Sequence, residues 1–385
     1  MYNSIVVHYG EIGIKGKNRS FFEKKLVENI RWNLKDLNVL SVKRMLGRLI
    51  VEIDENSKLN QITEKMQNIF GVQNFSLAIK TNLDIEHIKK TSLTLVSDKI
   101  KTFRLRTVRS NKSFSLSSSD INNIVGELIV KNKKLKVDLD NPDQTIFIEI
   151  TDKEAFIYNE KIKSLGGLPV GVSGKVVSLI SGGIDSPVSS YLAMKRGCSI
   201  IFVHFFNSTI NTKQSLEKVL SLVQTLSKYQ FKTKLYLVPF ENIQKEIIKH
   251  VNSKFRMIIY KRFMLKISNK ILEEEGALAI IDGANLAQVS SQTLSNINVI
   301  NQASNYSILS PVIGFDKEEI IQLAKKIKTY EISILPYQDC CSFLISEHPA
   351  TRSNINEIKE FESNINEKEI IDQAIKESQI KKIMN

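Results

Sequence analysis

An apolar run, Val176–Ile180, stops at Ser181-Gly182-Gly183, and a helical pattern opens almost at once with Asp185-Ser186-Pro187. A strand can turn this abruptly into a helix only through a short loop free of bulk, which paired glycines allow. Pro187 suits an early helical position, where its missing N–H is not needed. Strand-like and helical stretches then alternate: Ser186–Arg196 helix, Ser199–Phe205 strand, Lys213–Lys228 helix, Lys234–Val238 strand, Asn242–His250 and Met257–Glu275 helices, Ala277–Asp282 strand. This alternation predicts a parallel sheet with helices on both faces. Ligands of such sheets bind at the carboxyl ends of the strands, which is where Ser181-Gly182-Gly183 falls. The glycines let the backbone approach an anion and accept positive φ, the helix N-terminus offers N–H groups, and Ser181 and Ser186 add hydroxyls. The loop is neither a Walker A sequence nor GxGxxG. Asp185 would repel a polyphosphate unless a cation intervened, so Mg²⁺ is expected beside it; the plain alternative is an acid placed to suit the helix dipole.

The front half reads differently. Ser4–His8 is a strand, Gly10–Arg19 a basic turn, Ser20–Leu37 a helix, and Val39–Met45 with Arg48–Ile53 an antiparallel pair around Gly47. These form a small α+β unit over 1–56. A second mixed unit, 57–163, holds helices at Leu59–Ile69, Ile85–Ile100 and Asp120–Val130, the last opening on Asp120, and strands at Thr102–Thr107, Thr145–Ile150 and Glu154–Asn159. The Gly/Pro-rich stretch 164–174 breaks any regular element and reads as a linker, leaving 175–385 as the third domain. The polar end, Ser353–Asn385, reads as a surface helix or tail.

Composition narrows the class of partner. The net charge is +13 over 385 residues, a surplus that favours a polyanion. Abundant Lys, Asn and Ile also fit a compositional bias, so charge alone leaves nucleic-acid binding open. The three cysteines, Cys198, Cys340 and Cys341, are too few for a disulfide framework. No CxxC or His/Cys cluster predicts zinc or iron–sulfur ligation. No signal peptide and no apolar run of membrane-spanning length is present, so the expected location is cytoplasmic, without a membrane. Cys198 and Trp32 read as structural and core residues.

Three further features bear on the substrate. Cys340 and Cys341 stand side by side after the last strand-like segment; a thiolate carries and delivers sulfur, although a buried cysteine is often only a small hydrophobe. Lys101, Arg104, Arg106, Arg109 and Lys112 crowd one stretch with Phe103 and Phe114, which suits phosphate contact and base stacking, or equally a solvated strand face. Lys15, Lys17 and Arg19 lie in a Gly-rich loop that fits a nucleic-acid backbone, or is simply a turn.

The Ser181-Gly-Gly-Ile-Asp-Ser186 loop resembles the PP-loop of ATP pyrophosphatases, which cleave ATP between the α and β phosphates. Its wider setting resembles one family along essentially the whole chain: YGEIGIKGKNRSFFEKKL, FRLRTVRSNKSF, GGLPVGVSGKVVSLISGGIDSPV, IDGANLAQVSSQT, GFDKEEI and ISILPYQDCCSF. These blocks are similar to the tRNA 4-thiouridine synthetases, or tRNA sulfurtransferases (the ThiI family). The resemblance implies an N-terminal ferredoxin-like domain, a THUMP RNA-binding domain and a C-terminal PP-loop (adenine nucleotide alpha hydrolase-like) domain with a parallel sheet. It implies that ATP adenylates the C4 oxygen of uridine 8 of tRNA and that persulfide sulfur then displaces AMP, giving 4-thiouridine; a part in thiamine thiazole synthesis accompanies this in the family. By motif, Leu179, Ile180, Ser181, Gly182, Gly183, Ile184, Asp185 and Ser186 would line the ATP site, with His204, Phe205, Lys261, Gly283 and Gln292. Lys317 matches a catalytic lysine, and Cys340, with Cys341 second, the sulfur-carrying cysteine. The implied cofactors are ATP and Mg²⁺. The implied partners are tRNA, a cysteine desulfurase as persulfide donor and a small sulfur-carrier protein, with a homodimer as the family lean. Some members add a C-terminal rhodanese domain; none is recognisable here, so sulfur is expected to reach the PP-loop domain directly. The competing readings are another PP-loop tRNA-modifying or amide-forming ligase, which would need no cysteine, and an RNA-binding module with an inactive nucleotide fold.

Overall fold

The structure is a computed structural model that describes residues 2–209, 213–336 and 346–384. Cys340 and Cys341 therefore lie outside the described residues. The chain divides into two compact units, Met1–Pro169 and Val170–Asn385.

The first unit is built on one mixed sheet. Its strands are β1 (Ser4–His8), β2 (Val39–Met45), β3 (Arg48–Ile53), β4 (Asn74–Asn82), β5 (Thr102–Arg109), β6 (Lys136–Val137), β7 (Gln144–Ile150), β8 (Glu154–Tyr158) and β9 (Ile162–Lys163). Among the described residues their order is β2-β3-β1-β4-β8-β7-β5-β6, with β9 also on β4. The long β4 joins the two halves: Asn74–Ala78 pairs with β1 and Ile79–Asn82 with β8, antiparallel in both cases. Strand alternation sends Ile5 and Val7 to one face and Val6 to the other. Helices α1 (Arg19–Asn33) and α2 (Leu59–Met66) bury Leu26, Ile30, Ile62 and Met66 against the first half. Helices α3 (Ile85–Thr94) and α4 (Ser118–Lys133) bury Ile88, Ile121 and Val125 against Phe103, Ile148 and Ile157.

The second unit is a sheet in the order β14-β13-β10-β11-β12-β15, formed by β10 (Lys175–Leu179), β11 (Ser199–Phe206), β12 (Lys232–Pro239), β13 (Ala279–Ile281), β14 (Ser307–Leu309) and β15 (Gln379–Met384). All neighbours are parallel except β12 and β15. Helices α5 (Asp185–Lys195) and α6 (Lys213–Ser227) pack against β10–β12. Helices α7 (Glu241–His250), α8 (Arg256–Glu275) and α9 (Leu294–Asn301) share a core with Val177, Val203 and Tyr236. Helices α10 (Lys317–Lys326) and α11 (Tyr330–Ser333) follow, then α12 (Ile355–Ser363) and α13 (Glu367–Lys376). The order places β10 between β11 and β13, so the chain leaves β10 to one side and later returns to the other. The switch point of the sheet lies at the carboxyl end of β10.

Several elements differ from the sequence reading, each for a local reason. Helix α1 ends at Asn33 rather than Leu37, because the chain turns through Leu34–Leu37 and reaches positive φ at Asn38. Helix α3 stops at Thr94. Helix α4 begins earlier than expected: Ser117 is the N-cap, and Asp120 is the N3 partner of a capping box rather than the start. Trp32 is only half-buried, with the Lys35 ammonium 4.2 Å over its ring, and is not a core residue. The final segment is not a surface tail. Ile358, Ile365, Ile371 and Ala374 of α12–α13 join the main core, Arg262 grips Glu362 through two buried bonds of 2.7 and 2.8 Å, and β15 closes the sheet. Exposed Lys381 and Lys382 on that edge guard it against further pairing.

The 164–174 stretch is held, not loose. Gly166 exchanges backbone bonds with Gly71 and Val72, and Gly171 and Ser173 donate to the Gly197 carbonyl. Gly166, Gly167, Gly171 and Gly174 all have positive φ, which explains the glycines.

Candidate active site

At the switch point the chain runs from Leu179 through Ile180, Ser181, Gly182, Gly183 and Ile184 into α5, which starts at Asp185. The Ile180 N–H donates to the Val203 carbonyl at 2.9 Å, which carries the sheet pairing one residue past β10. Beyond it the loop is tied by its own hydroxyls. The Ser181 N–H donates to Ser186 Oγ at 3.0 Å, the two hydroxyls lie 3.1 Å apart, and the Gly183 N–H reaches Ser181 Oγ at 3.3 Å. Ser190 then links Ser186 to the strand, donating to the Ser186 carbonyl and lying 2.8 Å from Ser178 Oγ. Neither Gly182 nor Gly183 has positive φ. The left-handed conformation that the sequence allowed is therefore not used here, and a Cβ on Gly183 would meet only Ser181 Oγ, at 3.4 Å. The first N–H groups of α5 lack intrahelical acceptors by geometry and carry the positive end of the dipole.

The neighbouring strand end closes on this helix start. A Cβ on Gly283 would lie 2.8 Å from Ser186 N and 3.0 Å from its Cα. Only glycine permits that approach. Ser189 of α5 bonds the Asp282 carbonyl. The Asp282 carboxyl accepts from Ser310 at 2.6 Å and from the Ala284 N–H at 3.2 Å; burial pushes its pKa up, opposed by these donors and by Lys261.

The Asp185 carboxylate receives Lys317 Nζ at 2.7 Å on one oxygen and Gln288 Nε2 at 3.2 Å on the other. Residues 132 positions apart thus meet at the helix start. Lys317 is delivered by α10, whose N-terminus is fixed by the Asp316–Glu319 capping box. From the far side, Ser333 Oγ donates to the Gly183 carbonyl at 3.1 Å.

His204 lies in β11, 2 % exposed, with Nδ1 2.9 Å from the Ile180 carbonyl. Phe205 packs edge-on to Phe240 with ring centroids 5.4 Å apart. Its ring serves the core. Lys261 of α8 donates to Ser291 Oγ at 2.8 Å, beside the turn that carries Gln292. Among the described residues, Gln292 Oε1 is a buried acceptor with no donor. An orphaned acceptor one residue from the Ser291 that Lys261 bonds, and a helix start with N–H groups to spare, fit a nucleotide. Among the described residues, no group of three or more His, Cys, Asp or Glu side chains could hold a metal ion. Asp185 is the acid beside the glycine loop, and both of its oxygens already have protein partners.

Sequence reasoning missed Asp282, Gln288, Ser189 and Ser333. Asp282 carried a usable signal, an acid directly after an apolar strand; the others are ordinary polar residues until the fold brings them in. Cys198 is half-buried between α5 and β11, and burial raises its thiol pKa.

In the first unit the basic residues are unevenly committed. Arg19 donates to Glu23 at 2.9 Å and to the Tyr9 hydroxyl, and Lys15 pairs with Glu11 at 3.0 Å. Arg104 bonds Thr145 and the Leu139 carbonyl, each at 3.0 Å, and Arg109 bonds the carbonyls of Leu116 and Lys112. Among the described residues, Lys17, Lys101, Arg106 and Lys112 form no ion pair. Lys161 lies 4.5 Å over the Phe147 ring, which stacks on Tyr158.

A sequence profile described as "Thiamine biosynthesis protein (ThiI)" matches residues 171–366, a ThiI ferredoxin-like profile matches 4–76 and a THUMP profile 82–160. The chain is 40% identical over 374 residues to a probable tRNA sulfurtransferase of Thermoanaerobacter pseudethanolicus, covering 97% of this chain and 98% of that one. The chain belongs to the ThiI family of tRNA sulfurtransferases. A Moorella thermoacetica relative of the same description is 38% identical, over 99% of this chain and 97% of its own. Among solved structures, the ThiI-family fold matches a 4-thiouridine synthetase–RNA complex with bound ATP at a TM-score of 0.91, 38% identity and full coverage of both chains. A Pyrococcus horikoshii protein matches at 0.65 and 26% identity, over 85% of this chain and 99% of that one. The architecture is accordingly ferredoxin-like, THUMP and PP-loop, as the motifs implied. No helix among the described residues is long and apolar enough to cross a membrane.

Proposed function

We propose that this chain transfers sulfur to tRNA at the expense of ATP, converting uridine 8 to 4-thiouridine. One observation carries the reading: the glycine loop, the Asp185–Lys317 pair and the Gly283 contact all meet at the start of one helix, at the switch point of a parallel sheet.

The loop and helix start would bind the triphosphate through backbone N–H groups and the Ser181 and Ser186 hydroxyls. Gln292 Oε1 would accept from the base or ribose. The uracil C4 oxygen attacks the α-phosphorus, the bond between the α and β phosphates breaks, and pyrophosphate leaves. Lys317 sits where a cation offsets the charge that develops on that phosphate. Asp185 holds Lys317 in place; it is also the residue that would hold a Mg²⁺ arriving with ATP, whose contribution is charge neutralisation.

Adenylation turns a poor leaving oxygen into a good one. The outer sulfur of a persulfide on Cys340, with Cys341 the alternative, then attacks C4, and the C4–O bond breaks to release AMP. A second thiol attacks the cysteine sulfur and cleaves the remaining S–S bond, freeing the thiolated base and leaving a disulfide, so each turnover consumes two reducing electrons, supplied by two thiols or one dithiol. A cysteine desulfurase, directly or through a small carrier, is the matching class of sulfur donor. The basic stretches 15–19 and 101–112 in the first unit would contact the tRNA backbone. We further propose Mg²⁺ dependence, a cytoplasmic location and a homodimer.

The test is nucleoside mass spectrometry of tRNA incubated with the purified chain, ATP and a persulfide donor. ATP-dependent 4-thiouridine supports the proposal. Cysteine-independent turnover with AMP formation but no thiolated base would favour a different PP-loop ligase.

A further inference from the structure

Gln288 is an exposed residue on the turn that follows β13, and its Nε2 donates to one Asp185 oxygen at 3.2 Å. The other Asp185 oxygen takes Lys317 at 2.7 Å. A free glutamine amide can turn over and present either a donor or an acceptor, so it distinguishes little. This one is fixed. An ionised carboxylate only accepts, so the Nε2 end must face Asp185 and the Oε1 end must face away from it. Among the described residues nothing donates to Oε1.

The turn is built to hold this residue in place. Asn285 is buried, and its Nδ2 donates to the Val312 carbonyl at 3.2 Å and to the Phe315 carbonyl. The Leu286 N–H donates to the Ile313 carbonyl at 3.1 Å, and the Ala287 N–H to the Gln292 carbonyl at 2.9 Å. Ala287 sits at φ +62°, in the left-handed region that residues with a side chain rarely adopt. Strain of that kind persists only where the surroundings enforce it. The surface beside Gln288 is apolar: Leu286, Val289 and Ile313 are all exposed. An unpaired base buries its faces against side chains of this kind.

We propose that Gln288 selects the base: its Oε1 accepts from the N3–H of uracil while O4 meets the α-phosphorus. The inference rests on the proposed activation of uridine and names how that site recognises its substrate. On uracil, N3–H adjoins the C4 carbonyl, so an acceptor beside the glycine loop meets the donor next to the reacting oxygen. Cytosine carries an amino group at C4 and a bare lone pair at N3, and would set lone pair against lone pair. As O4 bonds to phosphorus, pyrophosphate leaves with the electron pair of the broken P–O bond, and positive charge spreads to N3. The N3 proton becomes a stronger donor, so the bond to Gln288 tightens as the reaction proceeds. The proton then passes to water, and its electron pair stays on N3, leaving the neutral N3=C4 bond of the adenylated base.

The test uses the full chain, ATP, and tRNA carrying either uridine or 3-deazauridine at position 8, and measures pyrophosphate release. In 3-deazauridine a C–H replaces N3–H, so the donor is lost while O4 stays. The intrinsic reactivities of the two bases cancel when the uridine-to-3-deazauridine ratio of kcat/KM is compared between proteins. That ratio should be about tenfold greater in wild type than in Gln288→Ala, the scale of one hydrogen bond, with the KM for ATP unchanged. Gln288→Met, which keeps the length of the side chain, should match the Ala variant and serves for the same ratio if that variant does not fold. An equal ratio in wild type and variants would overturn the assignment. So would a raised KM for ATP as the variants' sole defect, which is what losing the Asp185 contact alone would produce. A wild-type chain that releases no pyrophosphate with uridine at position 8 would instead overturn the reading of the site on which the proposal rests.

Discussion

Replacing Gly283 by alanine tests the site geometry with one methyl group. The added Cβ would sit 2.8 Å from Ser186 N, 3.0 Å from Ser186 Cα and 3.2 Å from the Asp185 carbonyl carbon. Ordinary contacts begin near 3.4 Å, so the start of α5 must retreat by about half an ångström. All three atoms are backbone and cannot swing aside. The helix start also holds the Ser181–Ser186 bonds and Asp185, so the displacement passes straight into the phosphate loop. Overpacking of this kind costs about 1–3 kcal/mol, which in a unit of this size lowers Tm by roughly 2–4 °C per kcal/mol. Activity should fall further than stability, because misplacing reacting groups by about 1 Å costs up to ~100-fold. The assay is tRNA-dependent pyrophosphate release against ATP concentration, with Tm measured alongside. Gly314→Ala is the control, since a Cβ there meets nothing within 4 Å. Wild-type kinetics in Gly283→Ala would refute the claim that this contact sets the loop.

Other consequences are as direct. Asp185→Asn and Lys317→Met should each reduce pyrophosphate release by roughly 100-fold or more. Both should shift stability by no more than about 1 kcal/mol, because the pair is partly exposed; equal losses of folding and activity would contradict a catalytic role. His8 is held neutral, its pKa lowered to about 4 by burial and by Lys161 and Arg48. Its contact Glu149 does not reverse this, since that carboxylate is shared with Arg48 and Tyr158. An unfolded histidine binds its proton near pH 6.5, so this contribution is complete above that value and is lost as pH falls towards 4, roughly 3 kcal/mol in all. Urea titrations of wild type and His8→Gln across that window should diverge; parallel curves would exclude the assignment. Glu52, held near 2 chiefly by Lys43, Ser41 and Lys80, begins to lose its contribution only below 4.5, at the lower end of the window, and does so equally in both proteins.

The strand–loop–helix at 176–196 was legible because a fully buried parallel strand must be apolar throughout and the turn after it must be small. Strands β1, β2 and β3 were legible to the residue, since each carries a sustained β-type pattern ended by a turn. Strand β4 was not. Its residues Asn74-Phe-Ser-Leu-Ala-Ile-Lys-Thr-Asn82 alternate only modestly, and nothing local reveals that one strand serves both halves of a sheet. Strand β15 is exposed along its length and is specified by the edge of β12 rather than by its own pattern. The site shows the same division. Residues within the loop could be read from spacing, whereas Ser333 and Gln288 act through hydrogen bonds that span more than a hundred positions. Arg262 and Glu362 illustrate the limit: two charges that look solvated in sequence form a buried, doubly bonded pair.

The central claim, ATP-driven replacement of a uracil oxygen by sulfur in tRNA, is tested most directly in cells. Nucleoside mass spectrometry of tRNA from a strain lacking this chain should show no 4-thiouridine, with other modified nucleosides intact. Complementation with the wild-type chain should restore the nucleoside, and complementation with Asp185→Asn should not. Undiminished 4-thiouridine in the deletion strain would contradict the account.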